Sequence, residues 1–225
     1  MIEGLTDQGV ELSGLSVDSR RLRPGEVFLA YPGEHADGRR FISSAVASGA
    51  AAVVWDRDGF TWPSGVRTPN LPADDLRALA GHLAHLVYGR PSEKLWMAGV
   101  TGTNGKTSVT HWLAQCLGQA GRRCALIGTL GLGFPESLDE SPNTTPEAVS
   151  LHAGLARLLA AGARACAMEV SSIGLDQGRV NGVAFDVAVL TNLTRDHLDY
   201  HGTMKAYAEG KTRLFAMSGL RSAVL

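Results

Sequence analysis

The chain has 225 residues, a formal net charge of −1 and 44% hydrophobic residues, enough for one large or two modest domains with cores of their own. Near-neutral charge removes the electrostatic case for a nucleic-acid partner or an anionic membrane surface. Cys116, Cys124 and Cys166 show no metal-ligand spacing, and an odd count argues against a disulfide framework.

Each cysteine sits in an apolar run and is expected to be a small buried hydrophobe, as suits a reducing compartment. No apolar run reaches membrane-spanning length, and Met1-Ile2-Glu3-Gly4 does not begin a signal peptide. A cytoplasmic location without membrane insertion is therefore expected.

Pro24-Gly25 marks a turn before the strand Val27-Phe28-Leu29-Ala30-Tyr31. A short helix near Phe41 to Ser48 and a second strand, Ala51 to Trp55, follow. Pro72 is expected to open an amphipathic helix with Leu76, Leu79, Ala80, Leu83, Leu86 and Val87 on one face. His82 and His85 on that helix read as surface or boundary residues. Gly89-Arg90-Pro91-Ser92 breaks it and separates a first domain, 1–90, from a second, 91–225. Val17-Asp18-Ser19-Arg20 and the polar stretch from Gly33 to Phe41 read by composition as turns.

In the second segment the apolar run Leu95-Trp96-Met97-Ala98 feeds Gly99-Val100-Thr101-Gly102-Thr103-Asn104-Gly105-Lys106-Thr107-Ser108. A helical pattern leaves it, with Val109, Trp112, Leu113, Cys116, Leu117 and Ala120 on one stripe. Strand, glycine-rich turn and helix form the context of a phosphate loop. Gly102 and Gly105 let backbone approach a phosphate, and the N–H groups of the new helix face the anion. Lys106 would neutralise β/γ-phosphate charge and the Thr107 hydroxyl would ligate Mg²⁺. The loop is a variant, with Val100 where the usual pattern has glycine. Taken without its flanks, Gly-Lys-Thr would also suit an ordinary strand-to-helix turn.

Cys124 to Thr129 reads as a buried strand, followed by a glycine-rich loop through Gly133. Thr145, Pro146 and Glu147 are expected to start a helix that buries Ala148, Leu151, Leu155, Leu158 and Leu159. Ala165 to Met168 is the next strand, ending on Glu169, and Val187 to Leu190 another. This alternation predicts an α/β protein with a mainly parallel sheet covered on both faces. Ligands of such sheets gather beyond the carboxyl ends of the strands. There the phosphate loop, Thr144/Thr145, Glu169 with Ser171, and Asn192 to His197 could converge. Glu169 stands where a Mg²⁺-linked acid stands in phosphate-loop enzymes, or is simply a carboxylate at a strand end. By physics alone the Arg195 to Gly202 stretch reads as a solvated turn, and Lys211, in the helical stretch Met204 to Phe215, as a solvated lysine.

Thr-Gly-Thr-Asn-Gly-Lys-Thr, Asn-Thr-Thr-Pro, Met-Glu-Val-Ser-Ser and Asn-Leu-Thr-Arg-Asp-His-Leu-Asp-Tyr-His-Gly resemble strings of the Mur ligase family. Asp-Ser-Arg and His-Ala-Asp-Gly-Arg-Arg-Phe in the first segment match it too. The resemblance runs from near Ser16 to the last residue, in order. It is greatest to members that add the third residue, diaminopimelate or lysine, to UDP-MurNAc-L-Ala-D-Glu in peptidoglycan synthesis. It implies a small UDP-binding domain, then an ATPase domain with a phosphate-loop sheet that is incomplete here. The family's amino-acid-binding domain is absent, so this chain alone is expected to be inactive.

By the same resemblance Ser19 and His35 would hold the uridine end. Gly102, Thr103, Asn104, Gly105, Lys106, Thr107 and Ser108 would hold ATP. Asn104, Thr144, Thr145, Ser171, Gln177 and Arg179 would hold the muramoyl-peptide and diphosphate. Thr107, Glu169, His197 and Lys211 would serve Mg²⁺, the lysine as a carbamate, which reverses its reading as solvated. Lys106, Lys211 and His197 would be the catalytic residues. CO₂ addition to a neutral amine turns a cation into an anionic ligand, so that chemistry is coherent. Ile173 stands where some members carry histidine. The implied partners are UDP-MurNAc-dipeptide and an amino acid, and the full-length enzyme is expected to be a monomer. A folylpolyglutamate synthase-like ligase would share the phosphate loop but not the first segment's strings. A non-catalytic nucleotide-binding fragment is the other alternative; a GTPase switch would need an Asn-Lys-x-Asp string, and there is none.

Overall fold

Short apolar runs alternate with helical segments along the chain, and in the computed structural model they build one parallel and one mainly parallel sheet. The structure describes residues 2–34 and 36–225. Its contacts divide it into two units, Met1–Tyr88 and Gly89–Leu225.

The first unit contains α1 (Ile2–Thr6), β1 (Leu15–Ser16), β2 (Val27–Ala30), α2 (Ile42–Ala47), β3 (Ala52–Asp56), β4 (Asn70–Ala73) and α3 (Leu76–Val87). Its sheet has the order β1-β2-β3-β4, with every neighbouring pair parallel. β2 and β3 are buried along their whole length, as strands covered on both faces must be. Phe28, Ile42, Val53 and Trp55 form the core, with Phe60 and Trp62 packed against it.

Pro72 does not open the helix; it pairs with Trp55 in β4, an edge strand where a missing N–H is tolerated. The helix begins at Leu76, and the Asp75 carboxylate accepts from Ala78 N at 3.3 Å. Its buried residues are Leu76, Ala80, Gly81, Ala84 and His85, whereas Leu86 is 45% exposed. Small residues, not the leucine stripe, let this helix approach β2 and β3. His85 is accordingly buried and only His82 is exposed.

The two polar clusters are fastened turns. Asp18 accepts from Arg20 N at 3.0 Å and from its Nε at 2.9 Å. Asp37 accepts from the backbone and guanidinium of Arg39, a pairing that holds its carboxyl below the usual carboxylate range. The same guanidinium donates to the carbonyls of Asp56 and Asp58 and lies 5.0 Å from the Phe60 ring.

The second unit contains β5 (Trp96–Thr101), α4 (Lys106–Gln119), β6 (Cys124–Gly128), β7 (Gly131–Phe134), β8 (Ser137–Asp139), α5 (Ala148–Ala160) and β9 (Ala165–Glu169). After these come α6 (Ser172–Asp176), β10 (Val187–Leu190), α7 (Leu198–His201), α8 (Met204–Thr212) and β11 (Ser222–Val224). The sheet order is β11-β10-β5-β9-β6-β7-β8. Pairing is parallel from β11 to β6 and antiparallel for β6–β7 and β7–β8.

The expected glycine-rich loop is thus a strand pair. A Cβ on Gly131 would lie 2.3 Å from the Asp139 carbonyl oxygen, and one on Gly133 2.2 Å from that of Ser137. These glycines permit close strand approach, which a loop signal in the sequence does not distinguish. α5 starts later than expected: Glu147, not Thr145, caps it, accepting from Val149 N at 3.0 Å and Ser150 N at 3.2 Å.

α4 lies on β6 and β9 through Thr110 and Ala114, its buried residues. Trp112 is 63% exposed. Cys116 is exposed too, against expectation, while Cys124 and Cys166 are buried. The helix sits close to the sheet because its inner residues are small, and this turns the larger ones outward. On the opposite face Met97, Ile127, Leu151, Leu155, Met168, Phe185 and Leu214 form one core. Phe185 is 2% exposed and packs against Gly99, where a Cβ would come within 3.0 Å of its ring. Phe185→Ala is expected to cost about 3–5 kcal/mol, read as a lowered midpoint of denaturant unfolding.

Candidate functional site

Four parallel strands of the second unit, β5, β6, β9 and β10, end on one edge of the sheet, and the chemistry-bearing side chains follow those ends. β5 runs into the phosphate loop at Gly102, whose φ of +142° is open only to glycine, and a Cβ there would lie 1.9 Å from Thr191 Oγ1. The loop is tied to the residues after β10. Asn104 N donates to Asn192 Oδ1 at 3.1 Å, Asn192 Nδ2 donates to Asn104 O at 3.1 Å, and Thr191 Oγ1 donates to the same carbonyl at 2.6 Å.

Lys106 Nζ donates to Gly102 O at 2.9 Å and Thr103 O at 3.0 Å. Burial lowers its pKa, while the charges of Glu169 and Asp196 oppose that shift. Lys211 Nζ donates to the same Gly102 carbonyl at 3.0 Å. Lys211 is 3% exposed, so it is no solvated lysine. Burial first, then the Lys106 charge, bring its pKa from 10.5 to about 8. Its ammonium lies 4.3 Å from the centre of the Tyr207 ring, a favourable cation–π placement. The Tyr207 hydroxyl stands 3.1 Å from Thr103 Oγ1, so one side chain touches both the loop and Lys211.

Glu169, 1% exposed at the end of β9, is the hub of a second group. Thr107 Oγ1 donates to its Oε2 at 2.9 Å. Thr129 N donates to Oε1 at 2.9 Å, and Thr129 Oγ1 donates to Oε2 at 3.2 Å. Thr144 Oγ1 stands 3.0 Å from Thr129 Oγ1.

Thr145 is fully buried, and its hydroxyl donates to Glu169 O at 3.2 Å while accepting from Ser171 N at 3.0 Å. Arg179 Nη1 donates to Thr145 O at 2.9 Å, and its Nε donates to Gln177 Oε1 at 2.7 Å. Thr145, Ser171, Gln177 and Arg179 are therefore brought together in one brace. His197 lies apart from it. It is exposed, in the left-handed region at φ 49°, 3.6 Å from Asp196 and with its ring 6.0 Å from that of Tyr207. Ser108 is exposed on the first turn of α4. Ser19 is half-buried in the first unit, and His35 lies outside the described residues.

A Mg²⁺ ion takes oxygen ligands, commonly a phosphate-loop hydroxyl and one or two carboxylates beside the phosphates. The buried Glu169 carboxylate with Thr107 Oγ1 on it offers that donor set, so these residues fit the ion. Among the described residues no three His, Cys, Asp or Glu side chains gather as a metal-ligating group.

The site also includes Thr129 and Tyr207, which no sequence motif marks. Thr129 directly follows an apolar strand, at a carboxyl end. Tyr207 precedes Lys211 by one helical turn and so shares its face. Both signals were present, but neither residue type announces chemistry.

A model of the Mur ligase middle domain matches residues 100–225, and one of the Mur ligase family catalytic domain matches 11–88. A UDP-N-acetylmuramoyl-L-alanyl-D-glutamate–2,6-diaminopimelate ligase of Chromobacterium violaceum is 53% identical over 222 residues, 98% of this chain and 45% of the relative. The enzyme of that name from Neisseria meningitidis serogroup A is 54% identical over 212 residues, 94% of this chain and 43% of the relative. A solved structure of a ligase with that name superposes with a TM-score of 0.79 at 36% identity, over 94% of this chain and 42% of that one. The chain spans a little under half the length of the curated relatives it matches.

Proposed function

The chain belongs to the Mur ligase family, and we propose that it is part of an ATP-dependent ligase that joins diaminopimelate to UDP-N-acetylmuramoyl-L-alanyl-D-glutamate. The observation that carries this is the pairing of Thr107 with buried Glu169, beside a loop carbonyl that receives both Lys106 and Lys211. The names of relatives 53% and 54% identical supply the substrates.

In this reading the unit Gly89–Leu225 takes ATP, and the unit Met1–Tyr88 takes the uridine end of the precursor. The N–H groups of the phosphate loop and Lys106 hold the triphosphate. A carboxylate oxygen of the precursor forms a bond to the γ-phosphorus as the bond to the β-phosphate oxygen breaks, giving an acyl phosphate and ADP. The amine of diaminopimelate then bonds to the acyl carbon, loses a proton, and phosphate leaves with its electron pair. The chain's own contribution is to position the reactants and neutralise charge. Lys106 leaves its two carbonyl partners for phosphate oxygens. Thr107 and Glu169 would hold Mg²⁺, which shields the charge on the transferred group. Lys211, with its pKa near 8, has an amine neutral often enough to take up CO₂ and present a carbamate. His197 stands at the rim beside Tyr207, where a ligand could recruit it.

Thr144, Ser171, Gln177, Arg179 and Asn104 are assigned to the muramoyl-peptide and diphosphate. Thr145, whose hydroxyl is committed within the chain, shapes that subsite from behind. In the full-length protein, ADP formation should require both UDP-MurNAc-dipeptide and diaminopimelate. ADP formation indifferent to the precursor, or driven by a folate substrate instead, would reject the assignment.

A further inference from the structure

We propose that Thr129 is a positioning residue for the Glu169 carboxylate, an inference that rests on the ligase reading of this site. Three contacts carry it. The Thr129 N–H holds Oε1 at 2.9 Å, its hydroxyl holds Oε2 at 3.2 Å, and the backbone just before it presses on the same group. A Cβ on Gly128 would lie 2.2 Å from Glu169 Oε1 and 2.7 Å from Cδ. The end of β6 is thus moulded around the carboxylate.

Proton counting orders the hydroxyls. Each hydroxyl has one proton to give. Thr129 gives its own to Glu169 Oε2, so in the 3.0 Å contact with Thr144 it is the Thr144 hydroxyl that donates. Thr107 donates to the same Oε2 from the other side. The result is a directed line from Thr144 through Thr129 to the carboxylate. It turns Oε2 toward Thr107, the hydroxyl beside which a divalent cation would sit. It also couples the segment after β8, which carries Thr144, to that carboxylate. Hydrogen-bond partners behind a metal-binding carboxylate commonly set its affinity, and losing one costs 10–100-fold.

The test uses the full-length protein with ADP and Mn²⁺ as the divalent probe, read by electron paramagnetic resonance of free Mn²⁺. Thr129→Val keeps the branched shape and the N–H but loses the hydroxyl, and should weaken Mn²⁺ binding about tenfold. Thr129→Ser should restore affinity to within about twofold of wild type, as expected when the hydroxyl rather than the side-chain shape is responsible. Glu169→Gln is the control for the site itself. Weakening by Glu169→Gln with no change in Thr129→Val leaves the cation site standing and overturns the role of Thr129. Equal weakening by the valine and serine variants also overturns it, since packing would then be the cause. Wild type and Glu169→Gln binding Mn²⁺ alike would remove the cation site, and this inference with it. Thr129 is exposed, and a melting curve for each variant checks that the fold is kept.

Discussion

Lys106→Ala in the full-length protein should lower ATP-dependent turnover by at least about a hundredfold, while the circular dichroism spectrum is unchanged. Lys106 Nζ is hydrogen-bonded to two carbonyls of its own loop, Gly102 and Thr103. When the ammonium is gone, Gly102 O keeps Lys211 as its donor. The structural loss is therefore small. The functional loss is large, because a positive charge fixed beside a triphosphate gains strength from the burial that already depresses its pKa. Measured ADP release near the wild-type rate would remove Lys106 from the phosphate site.

Lys211→Met should have opposite effects on activity and on stability. Turnover in the full-length protein should be abolished, because the proposed Lys211 carbamate cannot form. Melting temperature at pH 7 should nevertheless rise. The wild-type amine titrates near 8 in the folded state against an ordinary value of 10.5, so the fold disfavours the charged form. Below pH 8 the lysine is protonated in both states, and the folded state carries the full cost. Between pH 8 and 10.5 the unfolded chain binds more protons than the folded one, and wild-type stability climbs with pH. The methionine variant lacks this dependence. Its advantage, on the order of 2 kcal/mol after allowance for the lost Tyr207 contact, should be greatest at neutral pH and vanish above about pH 10.5. Melting curves across that range check it, and a variant less stable at pH 7 would refute it.

Much of this architecture was legible in the residues. β5 and β9 are short apolar runs ending in the polar Thr101 and Glu169, and strands buried on both faces require that pattern. Glu169 and the phosphate loop could be placed at strand ends for the same reason. The faces of α3 and α4 were not legible, because hydrophobic periodicity finds large residues, and these helices dock through Ala80, Gly81, Ala84, Thr110 and Ala114. The β7–β8 pair was hidden because glycine marks both loops and close strand contact. Lys211 shows a different limit. Its burial depends on Tyr207 and a carbonyl 109 positions away in sequence, which no local pattern contains; family strings alone flagged it.

The Gly102 carbonyl has a consequence for proton traffic. There two ammonium groups share one oxygen, and the Lys106 charge makes Lys211 more acidic. A triphosphate that draws Lys106 away dissolves that crowding and sets a strong anion nearby, so the remaining amine becomes more basic. On the proposed nucleotide reading, capture near pH 8 should then take up part of a proton from the buffer. Reciprocity demands that acid, in turn, tighten the grip on nucleotide, while alkali frees the amine for carbon dioxide.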